Sequence, residues 1–126
     1  MADLSATDDR ASGALITGGA RGIGRAIAER LARRGDVVFI ADVDGPAAQT
    51  SAAELRTTGL DVRGIELDVR SAAAVGTAVR EVDAAVPLGT VVNNAGVGFV
   101  APLIDVTPEQ FDTLMGVNLR GVFLML

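Results

Sequence analysis

The sequence predicts an α/β fold with a doubly wound parallel sheet. Short apolar runs rich in branched side chains alternate along the chain with segments whose apolar residues recur once per helical turn. A glycine-rich stretch, residues 17–24, separates the first apolar run from the first helical segment. Alternating strands and helices build parallel sheets through right-handed crossovers, and a glycine turn after the first strand favours the strand order 3-2-1-4.

The expected elements follow in chain order. Strands are expected at residues 14–16, 37–41, 62–67 and 90–93. Helices are expected at residues 23–34 and 46–55, from residue 71 to the proline at 87, and from residue 107 onward. Four strands are only the first half of a doubly wound sheet. We therefore expect an incomplete Rossmann-type domain over residues 12–126, preceded by a disordered tail at residues 1–11.

Local signals mark where individual helices begin. Pro46 is a favoured first-turn residue, and Thr107 opens a segment with the form of a capping box. On the first helix, a charged face opposite the apolar stripe is expected to be solvated. It carries Arg25, Glu29 and Arg33.

Composition narrows the classes of function. With 126 residues the chain is long enough for one domain with a real core. No apolar run approaches the roughly 20 residues of a membrane span, so we expect a soluble protein without membrane contact, and a cytoplasmic location fits. The net charge of −5, without a basic face, argues against a nucleic-acid partner. Because Cys and His are absent, no thiolate or imidazole metal site is expected.

The glycine-rich stretch predicts a phosphate-binding turn. Gly18 permits a sharp turn, and Gly22 and Gly24 leave backbone N–H groups uncovered where the helix begins near Ile23. A pyrophosphate can approach the positive end of a helix placed in this way. A tight turn without a ligand is the alternative, and the strand and helix on either side favour nucleotide binding.

Charged residues near this turn bear on which dinucleotide binds. Asp42 ends the second strand, where a carboxylate can accept hydrogen bonds from ribose hydroxyls and repel a 2′-phosphate. It could instead be an exposed strand end or a helix cap. Arg21 could meet a 2′-phosphate, pair with a nearby carboxylate or point to water. Since a carboxylate at the ribose opposes the phosphate most directly, we predict NAD rather than NADP.

Other polar residues are expected at the same rim of the sheet. Asp68 follows the third strand, either near a bound adenine or as a helix cap. Asn94 follows the fourth strand beside the small residues Ala95 and Gly96, which would let a ligand come close; as a turn former it could be purely structural. Asn118 falls within the last helix and, on local grounds alone, would be a surface residue.

Together these residues resemble the short-chain dehydrogenases/reductases from Ser12 to Leu126. The stretch Thr17-Gly-Gly-Ala-Arg-Gly-Ile-Gly24 looks like the glycine motif of that family, and Asp42 stands where NAD-preferring members carry an acid. The pair Asp68-Val69 resembles the adenine-contacting pair of the family. Residues 93–96, Asn-Asn-Ala-Gly, match a further motif. Asn118 matches the Asn of the catalytic tetrad, which holds a helix kink and a water of the proton relay.

The resemblance implies an NAD-dependent oxidoreductase acting on an alcohol or carbonyl, but only in part. The Ser and the Tyr-x-x-x-Lys pair of the tetrad have no counterpart here, and would lie beyond Leu126. We therefore expect the chain to be truncated and inactive alone. A non-catalytic module that binds NAD or adenine nucleotides is the alternative, and a nonfunctional remnant is a third reading.

The fourth strand is expected to form an open edge of the sheet. No fifth strand follows to pair with it, and the last helix ends on the apolar run at residues 122–126. Exposed apolar edges associate with one another. We therefore predict self-association.

Overall fold

The structure is a computed structural model that describes residues 11–126; the predicted disordered tail lies outside the described residues, apart from Ala11. Its centre is a parallel sheet in the order β3-β2-β1-β4. The strands are β1 (Gly13–Thr17), β2 (Val37–Asp42), β3 (Val62–Glu66) and β4 (Leu88–Val92). The predicted fold class and strand order are confirmed.

Helices connect the strands and follow the last one. They are α1 (Gly22–Arg34), α2 (Gly45–Arg56), α3 (Ala72–Ala85), α4 (Pro108–Met115) and α5 (Gly121–Met125). A π-helical segment, Gly116–Arg120, joins α4 to α5, and a 3₁₀ turn, Leu103–Asp105, precedes α4. The capping box at Thr107 is present, with the side chain of Gln110 returning to the Thr107 N–H at 2.9 Å.

Two apolar clusters lie on opposite faces of the sheet, because alternate side chains of a strand point to opposite sides. Ala14 and Ile16 of β1 pack with α1 and α2, whereas Leu15 packs with α3 and with Met125 of α5. The Ala-rich face of α2 allows a close approach to β3. A Cβ atom at Gly64 would lie 2.8 Å from the backbone of Ala48.

The fourth strand departs from the prediction by beginning at Leu88 rather than Thr90. Gly13 pairs with Leu88 and Ala14 pairs with Thr90, so Gly89 is an extra residue in the register. Gly89 interrupts the apolar run by which a strand is recognised in the sequence. Pairing with β1, which the local sequence does not show, makes Leu88 and Gly89 part of the strand.

The charged face of α1 is only partly solvated, so that expectation was wrong for Arg25. Its Nε donates to the Ser51 hydroxyl at 2.7 Å, and its Nη2 lies 3.0 Å from a Glu54 carboxylate oxygen. Both partners belong to α2, so Arg25 fastens two neighbouring helices together. Glu29 and Arg33 form an exposed i,i+4 pair at 2.7 Å, as is usual for a helix surface.

Among the helices of residues 11–126, none combines the length and the apolar character needed to cross a bilayer.

Candidate cofactor-binding site

A cavity of about 360 Å³ opens at the carboxyl ends of the strands. Open α/β sheets bind ligands in this position, and the volume falls in the usual range of ligand pockets. The lining comprises Gly18, Asp42, Val43, Leu67, Asp68, Val69, Arg70, Asn94, Ala95, Gly96, Val97, Thr113 and Val117.

The glycines of the loop between β1 and α1 have different structural roles. Gly18 and Gly22 adopt φ values of +63° and +55°, in the left-handed region that favours glycine. Gly24 has ordinary helical geometry, but a Cβ atom there would lie 2.5 Å from the Asn94 side chain and from the Gly18 carbonyl. The first two glycines therefore form the turn, and Gly24 permits its close packing.

Asn94 fastens the glycine loop to the end of β4. Its side-chain amide donates to the carbonyls of Thr17 and Gly18 at 3.1 and 2.9 Å. The Thr17 hydroxyl, which is buried, accepts from the backbone N–H groups of Asn94 and Ala95 at 3.1 and 3.0 Å. Asn94 therefore has the structural role that the sequence left open, while it also lines the cavity.

The start of α1 differs from the starts of the other helices at this rim. Asp44 and Ser71 cap α2 and α3 by accepting backbone N–H bonds with their side chains. At α1 the N-cap residue is Arg21, which makes no such bond, and Ile23 in the first turn is 76% exposed. The first N–H groups of α1 thus keep the partial positive charge that attracts anions.

Asp42 holds its carboxylate between the glycine loop and the start of α2. One oxygen accepts from the Ala20 N–H at 3.2 Å, and the other from the Asp44 N–H at 3.1 Å. The side chain is therefore fixed at the end of β2, on the wall of the cavity. It does not cap α2, because Asp44 does.

Arg21 pairs with a carboxylate, one of the three alternatives that the sequence left open. Its Nη2 lies 2.7 Å from an Asp44 oxygen, and the other Asp44 oxygen accepts from the Ala47 N–H at 3.0 Å. The pair raises the pKa of Arg21 and lowers the pKa of Asp44. Asp44 is not among the predicted site residues, although an Asp immediately before Gly45-Pro46 is a helix-start signal.

Asp68 forms a bidentate ion pair with Arg70. Its two carboxylate oxygens accept from Arg70 Nε at 3.0 Å and from Nη2 at 2.7 Å. The side-chain hydrogen bond to Arg70 lowers the pKa of Asp68, and the Arg70 N–H adds to this effect. The helix-cap alternative for Asp68 is wrong, because Ser71 caps α3. Val69 is buried beside it, and sequence reasoning missed Arg70 on the cavity wall.

Asn118 lies in the π-helical segment and binds the loop after β4. Its Oδ1 accepts from the Val97 N–H, and its Nδ2 donates to the Val97 carbonyl, both at 2.8 Å. π-Helical turns interrupt regular helices and often occur at functional sites. The side chain is exposed, as local reasoning suggested, but it makes two specific bonds to the backbone of a cavity residue.

The structure brings most of the predicted site residues to one cavity. Those on its wall are Gly18, Asp42, Asp68, Val69, Asn94, Ala95 and Gly96. Arg21, Gly22, Ile23 and Gly24 form the adjoining start of α1 and are not part of the wall. Asn118 is connected to the wall through Val97.

The family model described as short chain dehydrogenase matches residues 12–126. The chain belongs to this family. It is 41% identical over 114 residues to a sorbitol dehydrogenase of Cereibacter sphaeroides, and 38% identical over 114 residues to a galactitol 2-dehydrogenase of Agrobacterium fabrum. Each alignment covers 90% of this chain and 43% of the relative. The chain thus spans less than half the length of these curated relatives.

Solved structures agree with this family assignment. A 3-ketoacyl-(acyl-carrier-protein) reductase from Brucella melitensis, complexed with NADH, is 36% identical with a TM-score of 0.85. That match covers 92% of this chain and 48% of the reductase. The apo form of LigD from Sphingobium sp. is 35% identical with a TM-score of 0.88, covering 93% and 51%. The family is one of oxidoreductases that bind nicotinamide dinucleotides.

Proposed function

We propose that this chain is the NAD-binding part of an oxidoreductase acting on an alcohol or a carbonyl. The carrying observation is the Asp42 carboxylate, which the Ala20 N–H holds on the cavity wall beside the uncapped start of α1. A ribose hydroxyl can donate to this carboxylate, and a pyrophosphate can accept from the first turn of α1. The residues present therefore fit a dinucleotide.

The other wall residues complete the proposed site. Asp68 and Val69 would hold the adenine, and Ala95 and Gly96 would leave room for the cofactor beside β4, since all four residues line the cavity. A bound nicotinamide supplies or accepts a hydride. In this proposal Asn118 orients a water for proton transfer, and its bonds to Val97 fix its position.

Binding titrations test the cofactor assignment. We expect calorimetry to show tighter binding of NADH than of NADPH, because Asp42 accepts from the ribose and repels a 2′-phosphate. Asp42→Asn keeps an acceptor for the Ala20 N–H but removes the charge, so it should reduce the ratio of NADH to NADPH affinity. Asp42→Ala should reduce the same ratio. Asp61→Asn, at the far edge of the sheet, controls for the loss of one negative charge. Tighter binding of NADPH to the unmodified chain would overturn the assignment.

A non-catalytic module that binds NAD or adenine nucleotides is a second proposal, favoured by one observation. The 126 residues contain no Tyr, Lys, His or Cys, so no side chain offers a phenol, ammonium, imidazole or thiol to exchange a proton with a substrate. General acid–base help of this kind is typically worth about 10²- to 10⁴-fold in rate. Catalysis by the whole oxidoreductase then needs residues outside this sequence.

We predict that the 126-residue chain alone turns over neither ketones nor secondary alcohols, even when it binds NADH. NADH absorbance would be followed with a panel of both substrate classes, using purified chain of confirmed mass. Turnover that survives repurification and disappears in Asp42→Ala would contradict this prediction. Cytoplasmic location and self-association stay proposals from the sequence.

A further inference from the structure

Arg21 is the one cation of the glycine loop, and the structure shows which group holds it. Its Nη2 lies 2.7 Å from Asp44, while Asp42, two residues earlier, binds the N–H of Ala20, the neighbour of Arg21. Two carboxylates and one guanidinium therefore meet where the cavity adjoins the start of α1. Repulsion of a 2′-phosphate by Asp42 explains the role of one carboxylate. It does not explain why Arg21 pairs with the other, Asp44.

Asp44 is built into the fold rather than being a chance surface partner. Its Oδ1 caps α2 through the Ala47 N–H at 3.0 Å, and its backbone N–H donates to Asp42 at 3.1 Å. These bonds orient Oδ2 toward Arg21. The arginine side chain is 70% exposed, so it could turn to an anionic ligand if it were not held by Asp44.

We infer that Asp44 is a specificity-determining residue, which keeps Arg21 occupied and so prevents it from binding the 2′-phosphate of NADP. The inference rests on the proposed cofactor site. Two acids then contribute to the preference for NAD. Asp42 repels the 2′-phosphate, and Asp44 pairs with the arginine that would otherwise bind it. A ligand phosphate must compete with a carboxylate already at 2.7 Å from the guanidinium.

Asp44→Asn tests this role, because Asn caps helices as well as Asp does but carries no charge. We expect this variant to raise the affinity for NADPH relative to NADH by about fivefold, the upper range for one exposed ion pair. Adenosine 2′,5′-bisphosphate and AMP, titrated in parallel, should show the same change. Asp44→Ser, which also caps, provides a second variant, and circular dichroism confirms folding of each.

Arg21→Gln shows whether the gain passes through Arg21. In the unmodified chain this change should alter NADPH affinity by no more than about twofold, because Arg21 is already occupied. In the Asp44→Asn background it should remove the whole gain. If Arg21→Gln alone weakens NADPH binding markedly, or if the gain persists in the double variant, the inference is overturned.

Glu54→Gln is the matched control, since Glu54 also pairs with an α1 arginine, Arg25, at 3.0 Å. An equal gain in this variant would assign the effect to overall charge and overturn the inference. If NADH binds and Asp44→Asn leaves the preference unchanged, the inference alone fails. If the folded chain and all folded variants bind neither dinucleotide, the proposed function fails with it.

Discussion

The two edges of the sheet, β3 and β4, are protected to very different degrees. In β3 the Asp61 carbonyl bonds to Val38 of β2, so the alternating carbonyls of Val62 and Gly64 point outward. Arg56 and Gln49 of α2 donate to these two carbonyls at 2.7 and 2.8 Å. Side chains of α2 therefore satisfy the outward carbonyls of Val62 and Gly64.

Charge adds to the protection of β3. The strand carries Arg63 and Glu66, and the Arg63 guanidinium lies over the Phe39 ring at 5.3 Å. Charged residues on edge strands discourage pairing with other chains. The β3 edge thus has two of the features by which natural sheets avoid association.

The β4 edge is less protected, since a helix side chain, Asp83 of α3, bonds only to its first residue, through the Leu88 N–H at 2.9 Å. Its sequence, Leu-Gly-Thr-Val-Val, contains no charge. Among residues 11–126, no side-chain hydrogen bond reaches the backbone of Gly89, Thr90 or Val91. Of the large apolar residues exposed in this range, ten of twelve lie in or after β4, among them Val91 and Phe123. The contrast shows that most of the exposed apolar surface belongs to β4 and the segments after it.

The largest expected effect is self-association through β4. We predict that the chain sediments as oligomers or aggregates at tens of micromolar, because an uncharged open strand can pair with another chain. Thr90→Arg places a charge on this edge and should shift the distribution toward monomer. Ala73→Arg adds the same charge on α3 beside β3 and should not. A sharp monomer of the unmodified chain would contradict the prediction.

A smaller effect is expected when the protection of β3 is removed. The double change Arg56→Ala with Gln49→Ala leaves the Val62 and Gly64 carbonyls without their side-chain donors. A hydrogen bond contributes about 1 kcal/mol to the free energy of unfolding, so the loss should be about 2 kcal/mol or less.

Urea denaturation measures the stability change, and sedimentation shows whether β3 now adds to association. Arg80→Ala, an exposed arginine on α3, is the control for losing a long charged side chain. Equal stability of the double variant and the control would mean that the two bonds to β3 contribute nothing.

The sequence predicted the first three βα units more closely than the fourth, for a physical reason. β1 and β2 are buried on both faces, so they read as apolar runs, and their predicted bounds differ from the observed ones by one residue at most. β4 depends on pairing with β1. Because Gly89 interrupts its apolar pattern, the sequence does not show that the strand begins at Leu88. The π-helical segment has no local pattern that distinguishes it from an α-helix.

The candidate site shows the same limit. The sequence predicts Asp42 and Asp68 at one rim, because the carboxyl ends of parallel strands meet at one edge of a sheet. The partner of Arg21 could not be chosen, since it depends on where α2 brings Asp44. The bonds from Asn118 to Val97 span 21 residues and depend on the fold of the loop after β4.

The smallest expected effect concerns the turn after β3, which connects the protected side of the sheet to the last helices. Asp68 holds Arg70, and the Arg70 carbonyl accepts from Arg120 at 2.6 Å. The folded pKa of Asp68 is lowered by Arg70, so the stabilisation is present above the unfolded pKa, about 4, and is lost as the pH falls through the folded pKa.

Urea midpoints of the unmodified chain and Asp68→Asn should therefore differ by a constant amount between pH 5 and pH 7, and the difference should shrink below about pH 4. The difference is expected to be small, because both side chains are more than a third exposed and solvent screens the pair. Arg70→Gln should reproduce it, since either change breaks the same pair. A difference that grows as the pH falls would mean that protonated Asp68 is the stabilising form, contrary to the geometry of its contacts with Arg70.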